Sequence, residues 1–379
     1  MPENRINFLT KLTFLFWIYF IITVAVSLHR YFLGPGHYGN YLIFKNSFLH
    51  LLNGSDLYAI YPELKIDLFK YSPTFSVLFS PFAIIPDYLG LIFWNLLNSM
   101  LLFFSIKQLY ISDKIKSFIL WFILIELITS MQNFQSNAIT AALMIFVFIT
   151  LENRKYALAG ISAASGFFIK IFGILGALLW FIYDGKIKFF LSSIFSAIFL
   201  ACLPLIFVSP IELLNIYKSW FNLFSTDAYH ELNHSVISIM NNWFSIDVNK
   251  IWIQVIGLIL LVLPLFRHKN FREINYRMLF LCSVLIWSVI FNHKAESPTY
   301  IIAVAGAAIW FFISERKPLE ISFAIFLFLL TSLSPTDLFP KDIRDNYIIP
   351  YSLKAFPCIL IWIKIQYDLL SFGRTKAMN

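Results

Sequence analysis

Residues 117–152 read SFILWFILIELITSMQNFQSNAITAALMIFVFITLE. Two strongly apolar runs, at about 117–131 and 137–151, flank the short polar stretch 132–137. Both runs have membrane-helix character, although each is shorter than the roughly 20 residues of a full membrane span. The stretch therefore predicts two neighbouring helices joined by a turn that carries several amide side chains.

The same pattern recurs along the whole chain of 379 residues. Residues of the AVILMFWYC class make up 59% of the sequence and charged residues 13%, against about 25% charged residues in a soluble domain. One soluble core could not bury so much apolar surface, whereas in lipid each spanning segment satisfies its own backbone as a helix. The composition predicts an all-α polytopic membrane protein with about 11–13 transmembrane helices. The apolar runs are about 8–28, 72–86, 88–106, 117–131, 137–151, 156–169, 171–183, 188–208, 250–266, 276–291, 299–313, 319–333 and 347–367.

Basic residues predict the orientation of the chain. With a cytoplasmic N-terminus, 18 of the 29 Lys and Arg residues fall in short connections on one side, which is the positive-inside pattern. The pattern requires one net crossing over 72–106, so we predict a bent or partly re-entrant unit there, interrupted at Pro86-Asp87. We expect one domain, 1–379, in the plasma (inner) membrane, crossing it many times. Its external polar stretches are about 30–71, 132–137, 209–249, 292–298 and 334–346.

Several function classes are excluded by missing motifs. The sequence has no P-loop, Rossmann glycine fingerprint, HExxH motif or nucleophile elbow, so a soluble nucleotide-sugar enzyme is not expected. Cys202, Cys282 and Cys358 lie inside apolar runs and predict neither a disulfide nor a zinc site. The net charge of +8 comes from loop lysines and arginines, and no nucleic-acid partner, metal or cofactor is expected.

The first external loop carries the richest local pattern. From Tyr41 to Leu52, apolar residues recur at helical spacing, which predicts an amphipathic helix lying on the membrane plane. The sequence 53–56, NGSD, is a turn signal. Tyr71-Ser72-Pro73 predicts the start of the next helix, with proline in its first turn.

The order of motifs resembles glycosyltransferase family 87. NGSDLY at 53–58 and YSPTFSVLFSPFAIIPDYLGLIFWNLLN at 71–98 are similar to its G-x-D-x-Y turn, YPP-x-F helix start and later Trp-x-x-x-Asn. The polar stretch 132–137 resembles its GQ-x-N element, and residues 158–170 resemble its l-a-G … K element. The sequence HKAESP at 293–298 resembles a later external loop. The order and spacing agree over most of residues 10–310.

The resemblance implies a GT-C type fold and a hexosyltransferase. Such enzymes move a sugar, often mannose and with inversion, from a polyprenyl-phosphate donor to a lipid-linked or glycan acceptor at the external face. The expected partners are therefore donor, acceptor and membrane lipid. A polyprenyl tail needs an apolar groove, and its phosphate needs cationic or polar donors. The acceptor hydroxyl needs a general base, usually a carboxylate.

The candidate site residues follow from these needs. The resemblance puts the catalytic Asp of the family at Asn40, fourteen residues before Gly54, where an amide cannot take a proton. We therefore predict Asp56 and Glu296 as the acid/base residues, with Asp67 and Glu63 as further carboxylates. The residues predicted for the donor phosphate are Lys170, His293 and Lys294. The other predicted substrate contacts are Asn40, Tyr71, Gln132, Asn137 and His234.

Other interpretations stay open at the sequence level. Asp56 can stabilise a turn, Asn40 can cap a helix, Glu126 can be a buried structural group, and 230–244 can be a solvated loop. A transporter or flippase of lipid-linked sugars is the rival function, although it should show internal hydropathy repeats. A non-catalytic relative that binds glycolipid is the third hypothesis, which Asn40 keeps open.

Overall fold

The computed structural model describes residues 9–64, 66–226, 234–246 and 249–373. These residues form helices, turns and irregular connections, and no strand occurs among them, which confirms the predicted all-α polytopic membrane fold. The α-helices are α1 Leu12–Phe32, α2 Gly39–Leu52, α3 Pro73–Ala83, α4 Asp87–Lys107, α5 Asp113–Gln132, α6 Asn137–Glu152, α7 Tyr156–Ile169, α8 Lys186–Cys202, α9 Pro210–Thr226, α10 Val236–Phe244, α11 Lys250–Val262, α12 Ile274–Ile290, α13 Tyr300–Ile313, α14 Pro318–Leu327, α15 Lys341–Ile343 and α16 Phe356–Ser371.

Tighter and wider helical segments extend or join these helices. The longest is a 3₁₀ helix, Ile171–Ile182, which follows α7 after a single residue. The shorter 3₁₀ segments are Pro35–His37, Pro62–Leu64, Leu203–Ile206, Leu263–Phe266, His268–Arg272 and Ser297–Thr299, and the π segments are Phe328–Leu333 and Arg344–Ile348.

Four of the described helical stretches are long and apolar enough to cross a membrane. They are Leu12–Phe32, Asp87–Lys107, Asp113–Gln132 and Lys186–Ile206. Helices α12 and α13 pack on each other at the centre of the bundle; α13 also packs on α5 and α6, and α12 on α6. The resulting apolar core contains some of the largest buried side chains of the chain.

Proline and serine explain the helix boundaries around α3. Ser72 accepts a hydrogen bond from the backbone N–H of Phe75 at 3.1 Å, and Pro73 occupies the first turn, as helix starts favour. The helix has 11 residues, a length of about 16 Å at 1.5 Å per residue. It is too short to cross a bilayer alone, which agrees with the partly re-entrant unit predicted for 72–106.

The last predicted apolar run has a wrong boundary. The sequence predicts a helix over 347–367, but α16 begins only at Phe356, after a π segment and a series of turns. Pro350 lies inside the predicted run and has no backbone N–H to donate. The helix begins where Pro357 can occupy its first turn.

An aromatic cluster holds α2, α3 and α4 together. We use this name for Tyr41, Phe44, Phe75, Phe79 and Trp94, all of them buried. The ring centroids of Phe44 and Phe75 are 4.9 Å apart, and those of Phe79 and Trp94 are 5.0 Å apart, in the edge-to-face geometry that aromatic pairs favour. This packing fixes the helix that carries Asn40 next to the start of α3.

Candidate active site

One cavity of about 690 Å³ contains most of the polar residues singled out from the sequence. Of the ten predicted site residues, six line it, while Asp56, Gln132, Asn137 and His234 do not. The six lining residues are Asn40, Tyr71, Lys170, His293, Lys294 and Glu296. They come from segments far apart in the chain, so the fold itself assembles the cavity.

Lys170 occupies the tip of a tight helical hairpin. Its backbone N–H donates to the carbonyl of Gly166 at 2.9 Å, and its own carbonyl accepts from the N–H of Gly173 at 2.7 Å. The two glycines touch where α7 and the 3₁₀ helix pack together, and a Cβ on Gly173 would overlap the Gly166 carbonyl. This glycine contact allows both arms to approach closely, and so Lys170 projects from the turn between them.

The Lys170 ammonium is set among amides and rings. It donates to Oδ1 of Asn137 at 2.6 Å and to Oε1 of Gln135 at 3.4 Å. It also lies 5.7 Å from the ring centroid of Tyr71 and 5.5 Å from that of Phe172, within cation–π range. Burial lowers the pKa of Lys170 to about 8, partly opposed by the charge of Glu296. Buried Asn137 therefore acts on the cavity through Lys170.

Gln135 links the cation to a carboxylate. Its Nε2 donates to Oε2 of Glu296 at 2.6 Å, while its Oε1 accepts from Nδ2 of Asn137 at 2.7 Å and from Lys170. The amide thus presents its donor end to the anion and its acceptor end to the cation. Lys170, Asn137, Gln135 and Glu296 form one hydrogen-bonded chain, which we call the amide relay.

In the polar turn 132–137, the cavity is lined by Gln135 and not by the predicted Gln132. Gln132 is the last residue of α5 and is not among the lining residues, whereas Gln135 is. The fit to the GQ-x-N element is Phe134-Gln135-Ser136-Asn137, in which Phe134 stands at the glycine position. Phe134 has φ of 51°, a left-handed conformation that favours glycine. The Q-x-N spacing was the signal that could have identified Gln135.

Asn40 and Tyr71 are both tied to this turn. Nδ2 of Asn40 donates to the carbonyl of Asn133 at 2.9 Å, and Asn40 lies inside α2 rather than at its cap. The hydroxyl of Tyr71 accepts a hydrogen bond from Oγ of Ser136 at 3.4 Å. The Tyr71 ring stacks on the ring of Phe75, with 4.5 Å between the ring centroids. Burial raises the pKa of Tyr71, so its hydroxyl stays protonated.

The loop that carries Glu296 is anchored by His234. The backbone N–H of His234 donates to the carbonyl of Ala295 at 2.9 Å, and the hydroxyl of Tyr300 donates to the His234 carbonyl at 2.8 Å. Burial lowers the pKa of His234 to about 4, so the imidazole is neutral near pH 7. His234 therefore supports the loop from outside the cavity. The preceding part of the predicted loop, from His230 to Asn233, lies outside the described residues.

Asp56 lies in a turn beyond the cavity. Its Oδ1 accepts from the N–H of Tyr58 at 3.1 Å, and its Oδ2 accepts from Oγ of Ser219 at 3.4 Å, as expected of an aspartate that stabilises a turn. Among the described lining residues, the carboxylates are those of Asp67 and Glu296, both exposed. Asp67 accepts from the N–H of Leu68 at 2.7 Å.

Some residues that line the cavity belong to none of the motifs described from the sequence. Gln254 donates to the carbonyl of Phe291 at 3.2 Å and lies 3.4 Å from Nδ1 of His293. Lys70 and Lys250 add two more cations to the lining. Lys250 is the first residue of α11, so from the sequence it looked like an ordinary flank of an apolar run.

One part of the cavity wall is apolar and largely aromatic. Its residues come from α7, the 3₁₀ helix, α9 and α12, and they are Phe167, Phe168, Phe172, Leu175, Trp220, Leu223 and Trp287. The cavity thus combines several cations, two carboxylates and a broad apolar face. That combination suits an amphiphilic molecule with an anionic headgroup.

Comparison with known protein families agrees with this chemistry. The family model of glycosyltransferase family 87 matches residues 69–335, which is more than half of the chain. No curated protein sequence matches the chain. The resemblance inferred from the motifs is thereby confirmed, and with its apolar helices the protein is a membrane glycosyltransferase that belongs to glycosyltransferase family 87.

Proposed function

We propose that the protein is a GT-C type hexosyltransferase that uses a polyprenyl-phosphate donor, with mannose as the first candidate sugar. It would transfer the sugar to a hydroxyl of a lipid-linked or glycan acceptor at the external face of the plasma membrane. The observation that carries the proposal is the amide relay, which joins Lys170 to Glu296 inside a cavity with an aromatic wall.

Lys170 is the proposed primary contact of the donor phosphate. It is a cation at the tip of a rigid hairpin, and its hydrogen bonds to Asn137 and Gln135 fix the direction of its ammonium. Lys294 and His293 line the same cavity and are the proposed further phosphate contacts. A charge-assisted hydrogen bond to a phosphate oxygen is roughly twice as strong as a neutral one.

The apolar wall is the proposed site of the first isoprenyl units. Phe167 and Phe172 lie on either side of Lys170 in the chain, one on each arm of the hairpin, and both line the cavity. A phosphate held by Lys170 would therefore have aromatic side chains beside its lipid tail. Burying a methylene group contributes about 0.8 kcal/mol, so the wall favours a lipid-linked donor over a water-soluble sugar phosphate.

The proposed reaction uses Glu296 as the general base. The Glu296 carboxylate takes the proton of the acceptor hydroxyl as the acceptor oxygen forms a bond to the anomeric carbon. The bond from that carbon to the phosphate oxygen breaks, and its electron pair leaves with the polyprenyl phosphate. The Lys170 ammonium stabilises the negative charge that develops on the leaving phosphate. Attack and departure on opposite faces invert the anomeric centre.

The decisive experiment compares three isosteric substitutions in purified protein in liposomes. The probe is undecaprenyl-phosphate-[³H]mannose, with a polar-lipid extract as acceptor. Glu296→Gln should lower kcat by about 10²–10⁴-fold, the usual contribution of a general base. Asp56→Asn should retain transfer, because the Asp56 carboxylate lies in a turn outside the cavity.

Asp67→Asn is the matched control inside the cavity. Loss of transfer in Asp67→Asn together with activity in Glu296→Gln would move the base to Asp67. Full activity in both variants would refute a carboxylate base in this cavity. Movement of labelled lipid across the bilayer without a new glycosidic bond would support the flippase hypothesis, and binding alone would support the non-catalytic one.

A further inference from the structure

Glu296 is followed directly by a residue that is anchored to a buried ion pair. The Lys354 ammonium donates to Oε1 of Glu126 at 2.8 Å and to Oγ of Ser297 at 2.9 Å. The Lys354 and Glu126 side chains are 2% and 0% exposed. Lys354 lies in the turns before α16, beyond the part of the chain that the family model matches.

We propose that Lys354, held by Glu126, is a positioning residue that sets the place of the Glu296 carboxylate through Ser297. This inference rests on the proposed function, in which Glu296 is the general base. Lys354 is not among the residues that line the cavity. Its role would be to fix the backbone from which the base projects.

Both neighbours of Glu296 are held, Ala295 through its backbone carbonyl and Ser297 through its side-chain hydroxyl. On one side the Ala295 carbonyl accepts from the N–H of His234 at 2.9 Å, and on the other Ser297 accepts from Lys354. The Glu296 carbonyl itself accepts from the N–H of Thr299 at 3.0 Å. With both neighbours fixed, the remaining freedom of Glu296 lies in its side chain, which Gln135 engages at 2.6 Å.

The ammonium of Lys354 makes two hydrogen bonds and one cation–π contact. Of its three N–H groups, one goes to Glu126 and one to Ser297, and the ammonium lies 5.3 Å from the ring centroid of Tyr300. The backbone of Lys354 is fixed as well, because its carbonyl accepts from Oγ1 of Thr331 at 2.8 Å. The lysine therefore connects the C-terminal part of the chain to the loop that carries the proposed base.

Stability alone is a weak reason for such a pair. Replacing a buried ion pair with well-packed apolar side chains is often neutral or stabilising. By contrast, a displacement of a reacting group by about 1 Å can cost about 100-fold in rate. A role in positioning Glu296 explains why the ion pair also contacts Ser297, the residue that follows Glu296.

The test uses variants that separate position from stability. Glu126→Leu/Lys354→Met replaces the pair with apolar side chains and leaves no buried charge unpaired. Ser297→Ala removes only the contact to the loop, and Ser297→Thr keeps its hydroxyl. The matched control is Glu152→Leu/Arg277→Met, which removes another ion pair of low exposure, joined at 2.5 and 2.8 Å, whose residues do not line the cavity.

With the liposome assay and undecaprenyl-phosphate-[³H]mannose, we expect kcat to fall at least tenfold in Glu126→Leu/Lys354→Met. The donor KM should stay within about twofold in that variant, because the phosphate contacts are intact. The kcat of Ser297→Ala should also be lower than that of the wild type, and Ser297→Thr should retain most of the wild-type kcat. The control pair should keep kcat within about twofold while its melting temperature changes.

Combining the Glu126→Leu/Lys354→Met variant with Glu296→Gln distinguishes a positioning role from a purely structural one. The measured quantity is the additional loss of transfer rate. If Lys354 acts through Glu296, adding Glu126→Leu/Lys354→Met to Glu296→Gln should cost no further rate. A further tenfold loss in the combined variant would overturn the inference. Wild-type kcat in both Glu126→Leu/Lys354→Met and Ser297→Ala, with Glu296→Gln inactive, would overturn it while leaving the proposed function intact. A fully active Glu296→Gln would instead refute the proposed base.

Discussion

The amide of Gln135 separates two opposite charges that could otherwise neutralise each other. It donates to Glu296 and accepts from Lys170, the two groups proposed as the general base and the phosphate contact. The polar turn could be found from the sequence, and its Q-x-N spacing was a signal for Gln135, but the hydrogen-bond partners of that amide could not be read from the spacing. Phe134, directly before Gln135, has a left-handed backbone, and a hydropathy pattern does not report backbone conformation.

The proposed phosphate contact of Lys170 predicts that donor binding depends on pH. Burial lowers its pKa to about 8, so the folded protein loses this positive charge as the pH rises through 8. The charge of a polyprenyl-phosphate sugar, a phosphodiester, does not change in that range. We expect the donor KM to rise about tenfold between pH 7 and pH 9, in proportion to the lost ammonium. The measurement is the initial rate at varied donor concentration.

The control for this profile is Lys170→Gln. It should raise the donor KM at pH 7 and give a flat profile from pH 7 to pH 9. A wild-type KM that is constant over this range, or a profile that Lys170→Gln leaves sloping, would contradict the assignment of Lys170 to the phosphate.

At the scale of elements, the hairpin of α7 and the 3₁₀ helix was largely predictable. The apolar runs 156–169 and 171–183, broken by Lys170, match the observed segments to within a residue. The hydropathy pattern predicts this break correctly because a charged lysine between two apolar runs changes the local hydropathy sharply. It does not reveal that Gly166 and Gly173 bring the arms into contact. It failed at 347–367, because a proline changes helix geometry without making the run much less apolar.

The glycine contact makes a prediction for this hairpin. Gly173→Ala would push a methyl group into the carbonyl of Gly166, so the arms must separate or shift. We expect a loss of about 1–3 kcal/mol in stability, the usual cost of overpacking, and a raised donor KM because Lys170 moves with the turn. Thermal unfolding in detergent and donor kinetics are the measurements.

Gly36→Ala is the comparison for this variant. A Cβ at Gly36 meets nothing within 4 Å, so its melting temperature and KM should stay at the wild-type values. Wild-type behaviour of Gly173→Ala would show that the hairpin does not need the close approach.

At the scale of the whole molecule, composition and motif order were sufficient for the membrane fold and the family. They were not sufficient to predict which residues line the cavity. Residues with a motif, such as Tyr71 and Lys170, could be nominated, whereas Lys250 and Gln254 could not, since they lie at the edge of an ordinary apolar run. Lys354 was missed for a different reason, because its role depends on a partner, Glu126, that is 228 positions away in the chain.

The predicted orientation can be tested by labelling single cysteines. In a Cys202→Ser background, Glu63→Cys should react with a membrane-impermeant maleimide in intact cells. Lys269→Cys should react only after permeabilisation, because the positive-inside pattern assigns it to the cytoplasmic side. Both positions lie in short 3₁₀ segments that connect α-helices. The opposite labelling pattern would reverse the orientation and put the cavity on the wrong side for an external donor.

The position of Lys354 has a consequence for how the chain can be divided. A polypeptide shortened to the end of the family match at residue 335 would retain every lining residue of the cavity. It would nevertheless leave the buried Glu126 carboxylate without its Lys354 partner. It would also delete α16, whose Trp362 donates to Oγ of Ser283 at 3.0 Å. The family match at 69–335 therefore ends before residues on which the interior of the bundle depends, and we expect a chain that ends at residue 335 to be unstable.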